Sequence, residues 1–381
     1  MAVTLADVAA RAGVSSATVS RVLNGNYPVA GSTRERVQRA VAELDYVVNG
    51  QARALAAATS DLVGVLVNDV ADPFFGIIAS ALQAEVGVGA AEPGGKLTVV
   101  CNTGGSPEAE LTYLTLLERQ RAAGVVLTGG AVDSPAHTDS VTARLSRLAA
   151  SGTRIVLCGR PPLTLPGAPG PLTTLAFDNF GGARRLTEHL ISLGHRRIGY
   201  VTGPAERSTT GDRLAGHRAA LAAHGLWPRG GAGAGGGGGG RQDNKDGTVP
   251  VPAAGGDPLT VHGGYDRDAG YDATLELLRR DAGVTAIVAA NDTVALGVCA
   301  ALRNRGLRIP ADVSVAGFDD LPFSADASPA LTTVRIPLQD AGARAGRLVM
   351  GRLAPPPGGV ATIATDLMVR GSTAPPSADR S

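Results

Sequence analysis

The chain is short of lysine, cysteine and aromatic residues. Lys96 and Lys245 are the only lysines, so arginine carries nearly all the positive charge. Aromatics make up 3% of the 381 residues, which makes each placed ring informative. A net charge of +1 excludes a uniformly basic nucleic-acid binder, so any DNA affinity must come from a local patch. The three cysteines, Cys101, Cys158 and Cys299, are far apart and sit in or beside apolar runs. That pattern predicts buried free thiols of a reducing compartment, not a disulfide framework. No HxxxH or CxxC spacing occurs, so no metal site is expected. The first residues lack a basic region followed by an apolar run, so no signal peptide is expected. No apolar run approaches the roughly 18 residues that would span a bilayer. A cytoplasmic protein without membrane contact is the expectation. P-loop, dinucleotide fingerprint, nucleophile elbow and paired acid–base constellation are all missing, so no catalytic residue and no cofactor are expected.

What is present begins at Thr4. Thr4 can cap a helix whose first turn holds Asp7. Val8, Ala9 and Ala12 fall on one face of it. Gly13 supplies a tight turn where a positive φ would cost other residues more. Ser15 is a second N-cap candidate, followed by an apolar face of Val19, Val22 and Leu23. Two short helices joined by a Gly-containing turn make a helix-turn-helix. Ser16, Ala17, Ser20, Arg21 and Asn24 line the outer side of the second helix. An Arg there can grip guanine O6 and N7 bidentately. The pattern leaves two readings open, a DNA-recognition face or a solvated face on a helical hairpin. Ser32-Thr33-Arg34-Glu35 predicts a capping box that opens a third helix, with Val37, Ala40, Val41 and Leu44 inward. Arg11, Arg21, Arg34, Arg36, Arg39 and Arg53 against Asp7, Glu35, Glu43 and Asp45 leave this region mildly basic.

From Leu62 the texture changes. Short β-rich runs at 62–67, 97–101, 125–127, 154–157, 198–201, 284–289 and 313–316 alternate with helical stretches. That alternation predicts βα units and parallel sheets, with ligands at the carboxyl ends of the strands. Residues 87–95 and 161–171 read as Gly/Pro-enriched loops. Residues 230–256, with the run Gly235 to Gly240, read as a disordered low-complexity insertion.

The stretch Thr4-Leu5-Ala6-Asp7-Val8-Ala9 through Ala12-Gly13-Val14-Ser15 to Thr18-Val19-Ser20-Arg21-Val22-Leu23-Asn24, with Val29 to Tyr46, resembles the headpiece of LacI/GalR-family transcription regulators. The resemblance implies a small all-α helix-turn-helix headpiece plus a two-lobed α/β periplasmic-binding-protein-like core with parallel sheets. It implies a headpiece over 1–47, a hinge helix over 48–60 and an effector-binding and dimerisation core over 61–370. Lobe 1 is expected over 61–177 and 310–338, and lobe 2 over 178–309 and 339–370. Crossings are expected near Asp178, Pro310 and Pro337, and residues 371–381 are expected as a disordered tail. The implied partners are pseudo-palindromic double-stranded operator DNA, a second copy of the chain and a small-molecule effector, a sugar favoured over a nucleoside.

The resemblance also implies site residues. DNA contact falls to Thr4, Ser15, Ser16, Ala17, Thr18, Ser20, Arg21 and Asn24, and to Asn49, Arg53 and Leu55 in the hinge. Leu55 stands where family members push a Leu into the minor groove. Val48 stands where many have Pro. For the effector, Asp72-Pro73-Phe74-Phe75 follows the first core strand, and Phe74 is the Phe expected to stack on a ligand. Arg213 matches the Arg that grips effector oxygens. Arg207 and Thr209 match positions that vary with effector class. Tyr265 matches an aromatic stacking position, Asp292 the acidic ligand and Asp178 a residue at the lobe crossover. Asp319-Asp320 matches a structural family turn and is discounted. A solute-binding protein or an α/β enzyme would share the core but not the headpiece.

Overall fold

The computed structural model describes residues 3–24, 28–46, 60–87, 95–166, 172–227 and 257–377. The hinge positions Asn49, Arg53 and Leu55, and the Gly-rich stretch 230–256, lie outside these residues.

The headpiece has α1 (Leu5–Ala12), α2 (Ser16–Asn24) and α3 (Gly31–Glu43). The capping box at α1 is complete: Thr4 Oγ1 accepts from Asp7 N–H, and the Thr4 N–H donates to the Asp7 carboxylate at 2.8 Å. Gly13 ends α1 at φ 66°, the left-handed conformation a turn here requires. Ser15 Oγ accepts from Thr18 N–H at 3.2 Å and caps α2. Val8, Ala9, Ala12, Val19, Val37 and Ala40 close a common core. The expected capping box at Ser32 does not form. α3 starts earlier, at Gly31 after Ala30, and has no side-chain cap.

Two six-stranded sheets follow, of orders β11-β5-β4-β3-β1-β2 and β12-β10-β9-β8-β6-β7. The first holds β1 (Leu62–Val67), β2 (Leu97–Asn102), β3 (Gly124–Thr128), β4 (Arg154–Cys158), β5 (Leu172–Phe177) and β11 (Val360–Ile363). Its helices are α4 (Pro73–Gly87), α5 (Pro107–Arg119), α6 (Pro135–Ala150) and α12 (Leu338–Met350). The second sheet holds β6 (Ile198–Thr202), β7 (Thr260–His262), β8 (Ala286–Ala289), β9 (Ser314–Asp319), β10 (Thr332–Arg335) and β12 (Asp366–Met368). Its helices are α7 (Asn179–Ser192), α8 (Ser208–Ala223), α9 (Arg267–Arg280), α10 (Asp292–Asn304) and the short α11 (Phe323–Asp326). All pairings are parallel except β10 with β12, which closes the second sheet with an antiparallel edge. Central strands such as β3 and β6 are buried throughout, as parallel strands covered on both faces must be.

The lobe assignment read from the sequence is corrected. Residues 310–338 do not belong to lobe 1: β9 and β10 pair into the lobe 2 sheet. Residues 339–363 do not belong to lobe 2: α12 packs on α4, and β11 pairs with β5 in lobe 1. The chain therefore crosses at Asp178, at Pro337 and at Thr365, between β11 and β12, and not at Pro310. α12 lies close to α4 because Gly342 allows it; a Cβ there would sit 2.4 Å from the Ile78 carbonyl oxygen.

The tail expectation also fails over 371–377. Ser372 is fully buried, donates its hydroxyl to Val315 O at 2.6 Å and accepts from Thr332 N–H at 2.8 Å. Small hydroxyl residues at 372–373 let this segment lie along β9 and β10, a signal that composition alone does not carry. The three cysteines are buried and unpaired with one another. Among the described residues no helix is long and apolar enough to cross a membrane.

Candidate functional site

On α2, the helix cap fixes which side faces out. Val19 is buried against α1 and α3. Ser15, Ser16, Ala17 and Arg21 are exposed, and Thr18 and Ser20 are half-buried. Thr4 is exposed at the start of α1. The outward residues are thus short side chains around one arginine. Such a surface can approach a base-pair edge closely, since only Arg21 projects far.

The second candidate is a cleft of about 570 Å³ between the lobes, at the carboxyl ends of both sheets. Asp72, Phe74, Phe75, Arg207, Thr209, Arg213 and Tyr265 all line it, as the sequence reading expected. Phe74 and Phe75 stand edge to face at 4.9 Å, and Phe177 joins Phe74 at 6.3 Å. These rings form an aromatic floor in lobe 1. Both Phe74 and Phe75 reach the cleft, so the expected split into one core ring and one site ring is not seen. Tyr265 faces them from lobe 2, with its hydroxyl 2.7 Å from Thr210 Oγ1. Burial raises the Asp72 carboxyl above its ordinary value.

Arg213 is buried and bonded through each of its three nitrogens. Its Nε donates to Asn179 Oδ1 at 2.9 Å, Nη1 to Ala290 O at 2.6 Å and Nη2 to Asp319 Oδ1 at 2.9 Å. Its guanidinium also lies 3.7 Å over the Phe318 ring. Arg207 spans the cleft: Nη1 donates to Gly130 O at 3.3 Å and Nη2 bonds Gly105 O at 2.5 Å, both in lobe 1.

Two expected ligands are elsewhere. Asp292 is fully buried and does not line the cleft. Its carboxylate accepts from Thr333 Oγ1 at 2.6 Å, Ser324 Oγ at 2.7 Å and Leu321 N–H at 2.8 Å, tying α10 to the turn after β9. Gly317 leaves room for it; a Cβ there would meet Asp292 Oδ1 at 2.3 Å. Burial pushes the Asp292 carboxyl up to about 6, against the pull of those three donors. Its neighbour Asn291 lines the cleft instead. Asp178 likewise caps α7 through Gly181 N–H and pairs with Arg185 at 3.1 Å, while its neighbours Phe177 and Asn179 line the cleft.

Asp319, discounted from sequence, lines the cleft beside Arg213. Its φ of 102° and that of 54° at Asp320 lie where a side chain is strained. Asp320 is held by Arg335 and Arg370 at 2.6 and 2.7 Å. Burial pushes the Asp319 carboxyl up to about 7, with Arg213 opposing. A strained Asp-Asp pair after a strand was the available signal for this site residue.

Three family models match the chain. Residues 4–49 match bacterial regulatory proteins of the lacI family. Residues 60–230 match periplasmic binding proteins and the sugar-binding domain of the LacI family, and 187–373 match a periplasmic-binding-protein-like domain. The chain is 33% identical to the HTH-type transcriptional regulator GalR of Escherichia coli K12, over 91% of this chain and 88% of that protein. Among solved structures it resembles a transcriptional regulator CelR–cellobiose complex, at 32% identity and TM-score 0.60, covering 97% of this chain and 99% of that one. It also resembles the lac repressor dimer bound to operator and the anti-inducer ONPF, at 27% identity and TM-score 0.71, covering 98% and 100%. The chain belongs to the lacI family of bacterial regulatory proteins, with a helix-turn-helix headpiece and a periplasmic-binding-like core.

Proposed function

We propose that this regulator is a cytoplasmic repressor that binds operator DNA as a homodimer and is controlled by a sugar or sugar derivative in its inter-lobe cleft. The observation that carries this reading is the pairing of a capped recognition helix with an aromatic-floored, polar-walled cleft in one chain. Two headpieces would read half-sites of a pseudo-palindrome through the major groove. Ser16, Ala17, Ser20, Arg21 and Asn24 would meet base edges, with Thr4, Ser15 and Thr18 on the flanking backbone. Asn49, Arg53 and Leu55 would engage the minor groove from the hinge. In the cleft, the rings would cover the C–H faces of a sugar while Asp72, Thr209 and the opposing wall bond its hydroxyls. The volume falls in the range of about 300–1,000 Å³ usual for small-molecule sites. Arg213 and Asp319 would set the shape of that wall. No reaction is assigned to the site. A ligand that binds one lobe arrangement better than the other shifts operator affinity by that difference.

The test is selection of binding sites from random duplex DNA by the purified full-length protein, followed by titration of the selected complex with sugars and nucleosides. A pseudo-palindrome should emerge, bound by the wild type and lost in Arg21→Ala at unchanged thermal midpoint. Selection of no motif, or full binding by the variant, would overturn the headpiece roles. Release or tightening only by nucleosides would replace the sugar assignment.

A further inference from the structure

We propose that the amino-end face of the lobe 1 sheet is a second contact surface for operator DNA, where Arg119, Arg121 and Arg154 meet phosphates beside the central kink; the proposal rests on the operator-DNA reading above. The strands of the first sheet run parallel, so their amino ends form one face, opposite the cleft. The hinge joins the core on that face. Ser60 N–H donates to Arg121 O at 2.8 Å, and the Ser60 hydroxyl donates to the same oxygen at 3.1 Å. Arg119 ends α5, Arg121 follows it, and Arg154 opens β4. Gly124 lies between Val63 and Arg154 in the sheet, which sets Arg154 two strands, about 10 Å, from the start of β1.

All three arginines are exposed, and none has an ion-pair partner among the described residues. Acids of the same end are already matched: Asp61 pairs with Lys96, Glu85 with Arg347, and Glu118 with Arg144 and Arg147. The three arginines are thus surplus charge. Cations at a helix C-terminus offset its dipole, and Arg119 at the end of α5 and Arg154 beside Gly351, where α12 ends, have that use. That use asks nothing of the Arg121 backbone. Arg121 holds φ 51°, a left-handed conformation in which Gly or Asn costs less. An arginine kept at a strained position points to a task for its side chain.

The tether length identifies the partner. Leu55, which the proposed function sets in the minor groove, precedes Ser60 by five residues, so the chain holds their Cα atoms within about 18 Å. A minor-groove wedge bends the duplex toward its major groove, away from the wedge. Phosphates flanking the central step therefore stay near lobe 1 while the outer arms move off. Guanidinium groups within about 8 Å act on those phosphates at physiological salt. Such contacts fix position and carry no base information.

The experiment uses full-length protein carrying Arg119→Gln, Arg121→Gln and Arg154→Gln together. The charge-preserving partner carries Lys at the same three positions, and Arg305→Gln, exposed on lobe 2, is the control. Dissociation constants are measured on the selected operator and on a duplex of unrelated sequence, from about 50 to 200 mM salt. The Gln triple should show a log–log salt slope shallower by at least about 1, the share of one phosphate contact. The fourfold rise in salt then costs it about fourfold less affinity than it costs the wild type. Its selected motif should be unchanged, and the Lys triple and Arg305→Gln should keep the wild-type slope. Should the Gln triple unfold, Arg119→Gln with Arg154→Gln, which spares the strained position, carries the same reading. A wild-type slope in the Gln variants overturns this inference and leaves operator binding standing. Weaker binding at an unchanged slope, or a Lys triple that behaves like the Gln triple, makes the arginines internal supports of the hinge and overturns it too. Binding of no duplex by the wild type overturns the operator-DNA reading itself, and this inference with it.

Discussion

Ala131 and Ser208 exchange two hydrogen bonds across the cleft. Ser208 N–H donates to Ala131 O at 3.0 Å, and Ala131 N–H donates to Ser208 Oγ at 3.0 Å. Asp133 N–H to Glu206 O at 2.7 Å extends the same seam, and the Arg207 side chain completes it. The loop after β3 and the start of α8 are thus stitched like two short strands, with Val132 and Arg207 paired antiparallel. Lobe separation must break this seam.

Replacing Arg207 with Ala should loosen the seam. The variant loses its bonds to Gly105 and Gly130, and a charged hydrogen bond contributes about 1.5–3 kcal/mol. Amide exchange at Ala131, Asp133 and Ser208 should speed up, while β3 and β6 stay protected. Exchange mass spectrometry reads this directly, and unchanged rates at the seam would remove its assigned role.

Arg213→Ala should destabilise lobe 2 by several kcal/mol, because the buried Asp319 loses its counter-charge and must take up a proton, while Asn179 and the Ala290 carbonyl lose their donor. Lys should not restore it, since an ammonium cannot reach Asn179, Ala290 and Asp319 in one plane or cover Phe318. Urea unfolding of both variants checks the claim; full stability in the Lys variant would contradict it.

Much of the architecture was readable where the determinants are local. Thr4, Asp7 and Gly13 mark α1 because caps and left-handed turns depend on adjacent residues. The βα alternation likewise named both sheets. What failed was non-local. Residues 310–338 and 339–363 were given to the wrong lobes because strand partners, not strand propensity, decide the sheet. β7 and β12 are three residues long, too short for any alternation to register. At two junctions of the cleft the reading fell one residue off. The resemblance points to Asp178 and Asp292, yet at both strand-to-helix junctions the Asn beside them turns to the cleft. Which of two adjacent side chains points outward at such a junction is set by the packing beneath. Gly317 and the Asp292 cage show how specific that packing is.

His217 should carry part of the acid limb of stability. It is buried at 1% exposure, 2.9 Å from Thr187 Oγ1 and against Tyr200. Burial lowers its pKa from 6.5 to about 4. The unfolded chain then binds the extra proton between those values. The stability it contributes is complete above 6.5 and is lost as pH falls through about 4, to the extent of roughly 3 kcal/mol. Denaturation at pH 7 and pH 4.5 should show a smaller drop in His217→Gln than in the wild type. Equal drops would mean that His217 does not titrate this way.

Gly342→Val should destabilise lobe 1 by about 1–3 kcal/mol or more, since the added atoms meet the Ile78 carbonyl and force α12 off α4. Gly211→Ala, where nothing lies within 4 Å of the new Cβ, serves as the control. Thermal midpoints of the two variants should differ clearly. A shared midpoint would show that the helix pair tolerates separation.

The three crossings at Asp178, Pro337 and Thr365 have a topological consequence. Neither lobe is one continuous piece of chain: lobe 1 borrows α12 and β11 from beyond lobe 2, and lobe 2 takes back β12 and the Ser372 segment. A single nick at any crossing therefore leaves the halves joined by two covalent strands. Cutting the gene at Asp178 leaves the first product without α12 and β11 of its own lobe, while the second carries the whole lobe 2 sheet together with those two orphaned elements. Three tethers side by side also restrain the lobes from twisting or drifting apart, so the freedom left to them is chiefly a bend.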